Sequence, residues 1–340
     1  MKLKELAEKL SLSQTTVSRA LNGYPEVNEA TRERVNRAAL KFGYSANANA
    51  RRLAMGRVGA IGLVIPADSS QRFGPHTAEF LAGLAERLSR DEIDFLLSPI
   101  VDNDEISVYK RLISSKRVDA IIVSGPVLVD ERVSMLLDAN FPFVLHGRTN
   151  IDRPHAWLDI DNQGAFYQAA SHLLDLGHRH IAMIDGLRGF TFSEHRELGY
   201  RQALNERGVE IDPRFIVHNY FSDEIGFRET QRLLSCTPQP TAIIAGSMMT
   251  ALGVSRAIRN KGYQLGKQIS LITHDDVFPY LNASNMVPSM TTTRSSMRSA
   301  ATRIAEMLVR VLDGEPVDAI HELWPVELIV RQSSGPPVGR

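Results

Sequence analysis

Leu3-Lys4-Glu5-Leu6-Ala7-Glu8-Lys9-Leu10-Ser11-Leu12-Ser13-Gln14-Thr15-Thr16-Val17-Ser18-Arg19-Ala20-Leu21-Asn22-Gly23 holds two short helical stripes separated by a serine-containing turn. Leu3, Leu6, Ala7 and Leu10 recur at i, i+3, i+4 and i+7, which is one apolar face of a helix. Ser13 carries the short hydroxyl favoured at an N-cap. From it Val17, Ala20 and Leu21 turn inward, while Gln14, Thr15, Ser18, Arg19 and Asn22 turn outward. A third stripe, Val35, Ala38, Ala39 and Phe42, is expected after a cap region at Thr31. Three such helices over about 45 residues reach the size at which a helix-turn-helix unit can stand, though marginally.

The outward face of the second helix is polar and free of acidic side chains. Gln can pair with adenine through two hydrogen bonds, Thr can offer a hydroxyl or meet a thymine methyl, and Arg can reach guanine or phosphate. Charge is distributed to suit such a head. The 340-residue chain is formally neutral, but residues 1–57 hold eleven Lys/Arg against five Asp/Glu, a balance of +6 that leaves −6 for the remainder. The basic excess is therefore placed where phosphates would be met.

Residues 45–57 are small and basic, with Leu53 as the one large aliphatic side chain in their middle. A helix this short is costly to nucleate alone and needs support from DNA or a partner chain. A basic linker with Leu53 packed on the next domain is the plainer alternative.

From residue 58 the pattern changes to short hydrophobic runs at 58–65, 94–99, 118–123, 143–145, 181–184, 242–245 and 270–273. Their continuity suits parallel strands buried on both faces. Helical stretches are expected around 76–90, 104–115, 130–139, 162–176, 194–208, 223–235, 248–261 and 295–313. Two successive βαβ series of this kind predict two doubly wound α/β lobes with parallel sheets, and ligands of such folds bind beyond the carboxyl ends of the strands.

Other classes are disfavoured. The single cysteine, Cys236, allows no intrachain disulfide framework and no metal cluster built around it. No nucleophile elbow, phosphate-cradling glycine loop or metal-spaced histidine pair appears, and His178 and His180 read as structural or surface residues. An enzyme is not expected, nor a cofactor or metal. With neither an apolar secretory core nor a run of about twenty apolar residues, a soluble, cytoplasmic protein with no membrane partner is expected.

Thr16-Val17-Ser18-Arg19-Ala20-Leu21-Asn22-Gly23, Thr31-Arg32-Glu33-Arg34-Val35 and Phe42-Gly43-Tyr44 resemble the LacI/GalR family of transcription regulators. In the body, Pro142-Phe143-Val144-Leu145-His146-Gly147-Arg148, Glu194-His195-Arg196-Glu197-Leu198-Gly199-Tyr200 and Ile272-Thr273-His274-Asp275-Asp276 extend the resemblance, and the lobes resemble periplasmic sugar-binding proteins. The resemblance places Gln14 and Thr15 at base edges in the major groove, with Ser13, Thr16, Ser18, Arg19 and Asn22 binding phosphate or supporting those contacts. It makes 45–57 a hinge helix whose Leu53 enters the central minor-groove step, with Arg51, Arg52 and Arg57 against phosphates. In this family the turn usually has Gly where Ser11 stands. If positive φ is required there, Ser costs about 1 kcal/mol.

The implied organisation is a DNA-binding head at 1–44, a hinge at 45–57, a two-lobed body at 58–332 and a flexible tail at 333–340. The chain would cross between lobes three times, giving a first lobe of about 58–160 plus 292–319 and a second of about 161–291 plus 320–332.

Family counterparts also point to an effector site. Arg196 would project a fork suited to hydroxyls or a carboxylate. Asp275, at a strand end, would accept hydroxyls, with Asp276 an alternative or a turn cap. Phe221 would form an aromatic wall, with Tyr220 beside it as a competitor. Phe73, His76 and Glu79 would approach the cleft mouth, and His146 and Arg148 would end the fourth strand. Ser247-Met248 stands where the family usually has Asn-Asp, so Ser247 leaves room for a ligand larger than a monosaccharide.

The resemblance is closest to regulators of α-glucoside utilisation and suggests an α-linked disaccharide. The expected assembly is a homodimer on pseudo-palindromic operator DNA, acting as a repressor controlled by a sugar. A corepressor-dependent regulator or an activator answering a different metabolite remains open, and a stand-alone sugar-binding protein is the weaker alternative.

Overall fold

The computed structural model describes residues 3–21, 24–44, 57–66, 74–100, 104–275 and 277–338. Two compact units divide the chain, Met1–Gly59 and Ala60–Arg340.

The first unit contains α1 (Leu3–Leu10), α2 (Gln14–Leu21) and α3 (Glu29–Lys41). Leu6, Ala7, Leu10, Val17, Ala20, Val27, Val35, Ala38 and Ala39 close over one another as its core. Ser11 sits at φ 53°, the left-handed conformation that its family position implied. Ser13 caps α2, its Oγ accepting from Thr16 N at 3.0 Å. Two expectations are corrected. α3 starts at Glu29 because Asn28, not Thr31, is the cap, its Oδ1 accepting from Thr31 N at 2.8 Å. Phe42 is not core: it ends the helix 39% exposed, with the Lys9 ammonium 4.7 Å from its ring centre.

The body contains β1 (Ala60–Pro66), α4 (Pro75–Leu88), β2 (Asp94–Ile100), α5 (Glu105–Ser114), β3 (Ala120–Ser124), α6 (Glu131–Asp138), β4 (Phe143–His146) and β5 (Ala156–Ile160). There follow α7 (Asn162–Asp175), β6 (Ile181–Asp185), α8 (Thr191–Glu206), β7 (Ile216–His218), α9 (Asp223–Leu233), β8 (Ala242–Ala245), α10 (Met248–Asn260) and β9 (Ser270–Asp275). The chain closes with β10 (Thr291–Arg294), α11 (Met297–Leu312), β11 (His321–Trp324) and β12 (Glu327–Ile329).

The strands form two six-stranded sheets, ordered β11-β5-β4-β3-β1-β2 and β12-β10-β9-β8-β6-β7. All pairings are parallel except β10 with β12, which run antiparallel at one edge of the second sheet. Helices cover both faces: α4 and α11 one side of the first sheet, α5 and α6 the other. In the second lobe α7 and α8 lie on one face and α9 and α10 on the other. Gly199 lets α8 approach α7 closely, since a Cβ there would stand 2.0 Å from the Gln163 carbonyl oxygen.

The crossings between lobes fall slightly away from their expected places. β10, at 291–294, belongs to the second sheet, although residues from 292 were assigned to the first lobe. β11, at 321–324, pairs with β5 in the first sheet, although 320–332 was assigned to the second. Both strands are four residues long and too short to announce their partners.

The tail is also corrected, because residues 333–335 are pinned. Ser333 is fully buried; its Oγ donates to Leu271 O at 2.6 Å and accepts from Thr291 N at 2.8 Å. Gly335 N donates to Ser270 Oγ at 3.0 Å, and Gly335 O stands 2.9 Å from His178 Nε2. The tail thus supplies hydrogen bonds that buried strand ends would otherwise lack.

Candidate functional site

On the head, Gln14, Thr15 and Arg19 are exposed on α2, and Thr16 and Ser18 are half-buried. Thr16 Oγ1 lies 2.8 Å from Ser13 Oγ, so these two hydroxyls brace the helix start. Asn22, Arg51 and Leu53 lie outside the described residues.

In the body, the carboxyl ends of the two parallel sheets face a cavity of about 560 Å³. This is the place the strand topology assigns to a ligand, and the volume falls within the range of small-molecule sites. The first lobe contributes Ser124 from the end of β3, Pro126 after it, His146 from β4 and Asp159 from β5. The second contributes Asn162 and Arg196 from α7 and α8, Phe190 and Phe192, Phe221, and Gly246 and His274 from strand ends. Three phenyl rings of the second lobe thus share the cavity with carboxylate, amide, imidazole and guanidinium groups. That combination can cover an apolar ligand face and hydrogen-bond its edges.

Arg196 is the most constrained of these. It is 5% exposed and held by Asn162 Oδ1 at 2.8 Å through Nε, and by Asp185 Oδ1 and Gly246 O, each at 3.0 Å, through Nη1. Phe166 and Phe192 flank the guanidinium at 5.1 and 5.2 Å. Nη2 carries none of these bonds. Asp185 is gripped in turn by Ser193 Oγ at 3.2 Å, and that hydroxyl lies 3.1 Å from His218 Nδ1. His218 Nε2 meets Glu197 Oε2 at 2.6 Å. Burial opposes ionisation of Glu197, but hydrogen bonds from Arg201 and His218 outweigh it and hold the carboxyl below the usual range.

His146 stacks on Phe80 at 4.9 Å and faces Ser124 Oγ at 3.2 Å through Nδ1. Burial pushes its imidazole down, against the opposing pull of Asp159. His76 packs edge-on to Phe278 at 4.9 Å and lies 5.8 Å from Phe221.

Of the nine effector residues expected from sequence, His76, His146, Arg196 and Phe221 line this cavity. Phe73 lies outside the described residues. The other four are not among the residues lining it. Glu79 faces α11, its Oε2 accepting from Arg298 Nε at 2.8 Å. Arg148 is not among the lining residues; its Nε donates to Asp159 Oδ2 at 2.9 Å and its guanidinium lies 5.6 Å from the Trp157 ring centre. Ser247 is the N-cap of α10, its Oγ accepting from Met249 N and Thr250 N. Asp275 caps the turn after β9, with Oδ1 accepting from Val277 N at 2.9 Å, and Asp276 lies outside the described residues.

Asp159, Asn162, Phe190 and Phe192 were not anticipated. Asp159 is the last residue but one of a five-residue strand, and Phe190 and Phe192 straddle a helix start three residues earlier than the periodicity indicated. A carboxylate and an amide three apart at a strand-to-helix junction were the available signal.

A helix-turn-helix unit joined in one chain to a two-lobed body with an interlobe cavity defines a ligand-responsive DNA-binding regulator as the class. Comparison with known proteins agrees. Residues 2–47 match the bacterial regulatory proteins of the lacI family, and residues 170–334 match the periplasmic binding protein-like domain. The HTH-type transcriptional regulator AglR of Rhizobium meliloti (strain 1021) is 45% identical over 339 residues, covering 99% of this chain and 95% of its own. RafR of Escherichia coli is 32% identical over 329 residues, covering 95% and 96%. Among solved structures, a transcriptional regulator CelR–cellobiose complex superposes with a TM-score of 0.71 at 27% identity, covering 98% of this chain and 99% of that one. The lac repressor dimer bound to operator shares the fold, with a TM-score of 0.77 at 23% identity, covering 98% and 99%.

The chain belongs to the LacI family of transcription regulators. Its relatives are regulators, not enzymes, and no helix among the described residues is long and apolar enough to cross a membrane.

Proposed function

We propose that the chain is a homodimeric repressor of a pseudo-palindromic operator, released by a small sugar bound between the lobes, an α-linked disaccharide above all. The cavity carries this reading, because its phenyl walls and hydrogen-bonding groups from both lobes match the faces and edges of a sugar. The similar CelR complex holds cellobiose, itself a disaccharide, which supports a ligand of that size. Of the residues placed there, His76, His146, Arg196 and Phe221 would contact the sugar. Gln14 and Thr15 would read base edges, with Ser13, Thr16, Ser18, Arg19 and Asn22 supporting them, and Leu53 would enter the minor groove with Arg51 on phosphate.

Sugar binding across both lobes would alter their relative orientation and disfavour the paired hinges. A coupling of about 1–3 kcal/mol suffices for such a switch. Footprinting on DNA from the chain's own upstream region tests the assembly. Two symmetric half-sites separated by about one helical turn or a multiple of it are expected, whereas a single asymmetric half-site would refute the dimeric reading.

A further inference from the structure

Three charged side chains, Arg196, Asp159 and Asp223, line the cavity among the described residues, setting its histidines aside, and each has an opposite charge supplied by the protein itself. Arg196 Nη1 stands 3.0 Å from Asp185 Oδ1, and Asp185 is buried behind the cavity wall. Asp159 Oδ2 stands 2.9 Å from the Nε of Arg148, which is not itself a lining residue. Asp223, at the rim, pairs with Arg256. Gly246 makes the first of these pairs possible: a Cβ at that position would stand 2.0 Å from Asp185 Oδ1.

We propose that Asp185 is a specificity-determining residue that cancels the charge of Arg196, so that the cavity takes a neutral polyhydroxylated ligand and rejects an anionic one. A phosphate or carboxylate brought to Nη2 would also approach the Asp185 carboxylate on the far side of the same guanidinium, in surroundings where charge is poorly screened. A hydroxyl suffers no such penalty and can accept the Nη2 protons. Sugar phosphates and uronates are thus excluded by electrostatics rather than by size. This rests on the sugar-effector reading for the location of the site, but not on which neutral sugar fills it.

The test uses the full-length protein and two sets of probes. Inorganic phosphate titrated by calorimetry should show no Arg196-dependent binding in the wild type. It should gain at least tenfold in affinity in Asp185→Asn, and lose that gain in Asp185→Asn combined with Arg196→Gln, a control that discounts phosphate held by the basic head. Arg196-dependent phosphate binding in the wild type, or no gain in Asp185→Asn, would overturn the proposal. If Asp185→Asn does not fold, the wild type compared with Arg196→Gln decides. Glucose 6-phosphate and glucuronate should compete for the cavity at least tenfold more weakly than the best of glucose, maltose, sucrose and trehalose, and equal or tighter anionic binding would overturn it. Silence from every α-glucoside, with the phosphate gain intact, would reject the proposed effector and leave the charge selection standing.

Discussion

Thr191 donates twice to one carbonyl of the opposite lobe: its backbone N–H reaches Pro126 O at 2.9 Å and its Oγ1 reaches the same oxygen at 3.0 Å. Pro126 follows β3 of the first lobe and Thr191 opens α8 of the second, and an isolated antiparallel bridge between Val127 and Phe190 lies alongside. Pro126, Phe190 and Phe192 line the cavity, so this tie sits on its wall.

Thr191→Val keeps the shape and the backbone bond but removes the hydroxyl donor. With Thr191 buried, a loss of about 1 kcal/mol is expected in urea unfolding of the body. An unchanged midpoint would mean that the hydroxyl adds nothing to the tie.

Ser11 holds a left-handed conformation that favours glycine. Ser11→Gly should therefore stabilise the head by about 0.5–1 kcal/mol, once the greater freedom of unfolded glycine is set against the relieved strain. Helix loss followed by circular dichroism should move to higher temperature in its first phase, and destabilisation would refute the strain argument.

Ser333→Ala removes a hydroxyl that serves both Leu271 O and Thr291 N. Leaving buried strand groups unpartnered should cost about 2 kcal/mol. Removing residues 336–340 should cost much less, and equal effects in urea titrations would contradict the pinned tail described above.

Acidification from pH 7.5 to 5.5 should weaken the body. Burial lowers the pKa of His146 against the pull of Asp159, and lowers that of His178 against its hydrogen bond to Gly335 O. In the unfolded chain both gain a proton near pH ~6.5, while in the folded protein they do so only at lower pH. The unfolded state then binds more protons, so stability is complete above that value and falls as pH drops below it. The urea midpoint should be lower at pH 5.5 than at 7.5, with a smaller difference in His178→Gln; a midpoint that rises on acidification would show the opposite sign.

Leu53→Ala should weaken specific operator binding far more than nonspecific binding, since a wedge acts only at a central step that can be kinked. Equal losses on operator and random DNA would favour the basic-linker alternative.

The sequence made the head and the strand-helix alternation legible because both rest on local periodicity. Val17 and Ala20 at α2, or Ile121 and Ile122 at β3, are buried where their spacing places them. β5, β7, β10, β11 and β12 are three to five residues long and were not separable from loops by pattern. The effector site was legible only in part for a related reason. The places of Arg196 and Phe221 were implied by the family resemblance, whereas the direction of a side chain depends on partners distant in sequence. Arg148 pairs with Asp159, and Glu79 with Arg298, contacts that no local spacing could announce.

The most direct test of the account is operator affinity at fixed salt, measured with purified full-length protein with and without maltose, sucrose or trehalose. We predict tight specific binding that at least one of these sugars weakens by about five- to 150-fold, the span of a typical coupling free energy. Binding that every sugar strengthens or leaves unchanged would contradict the account.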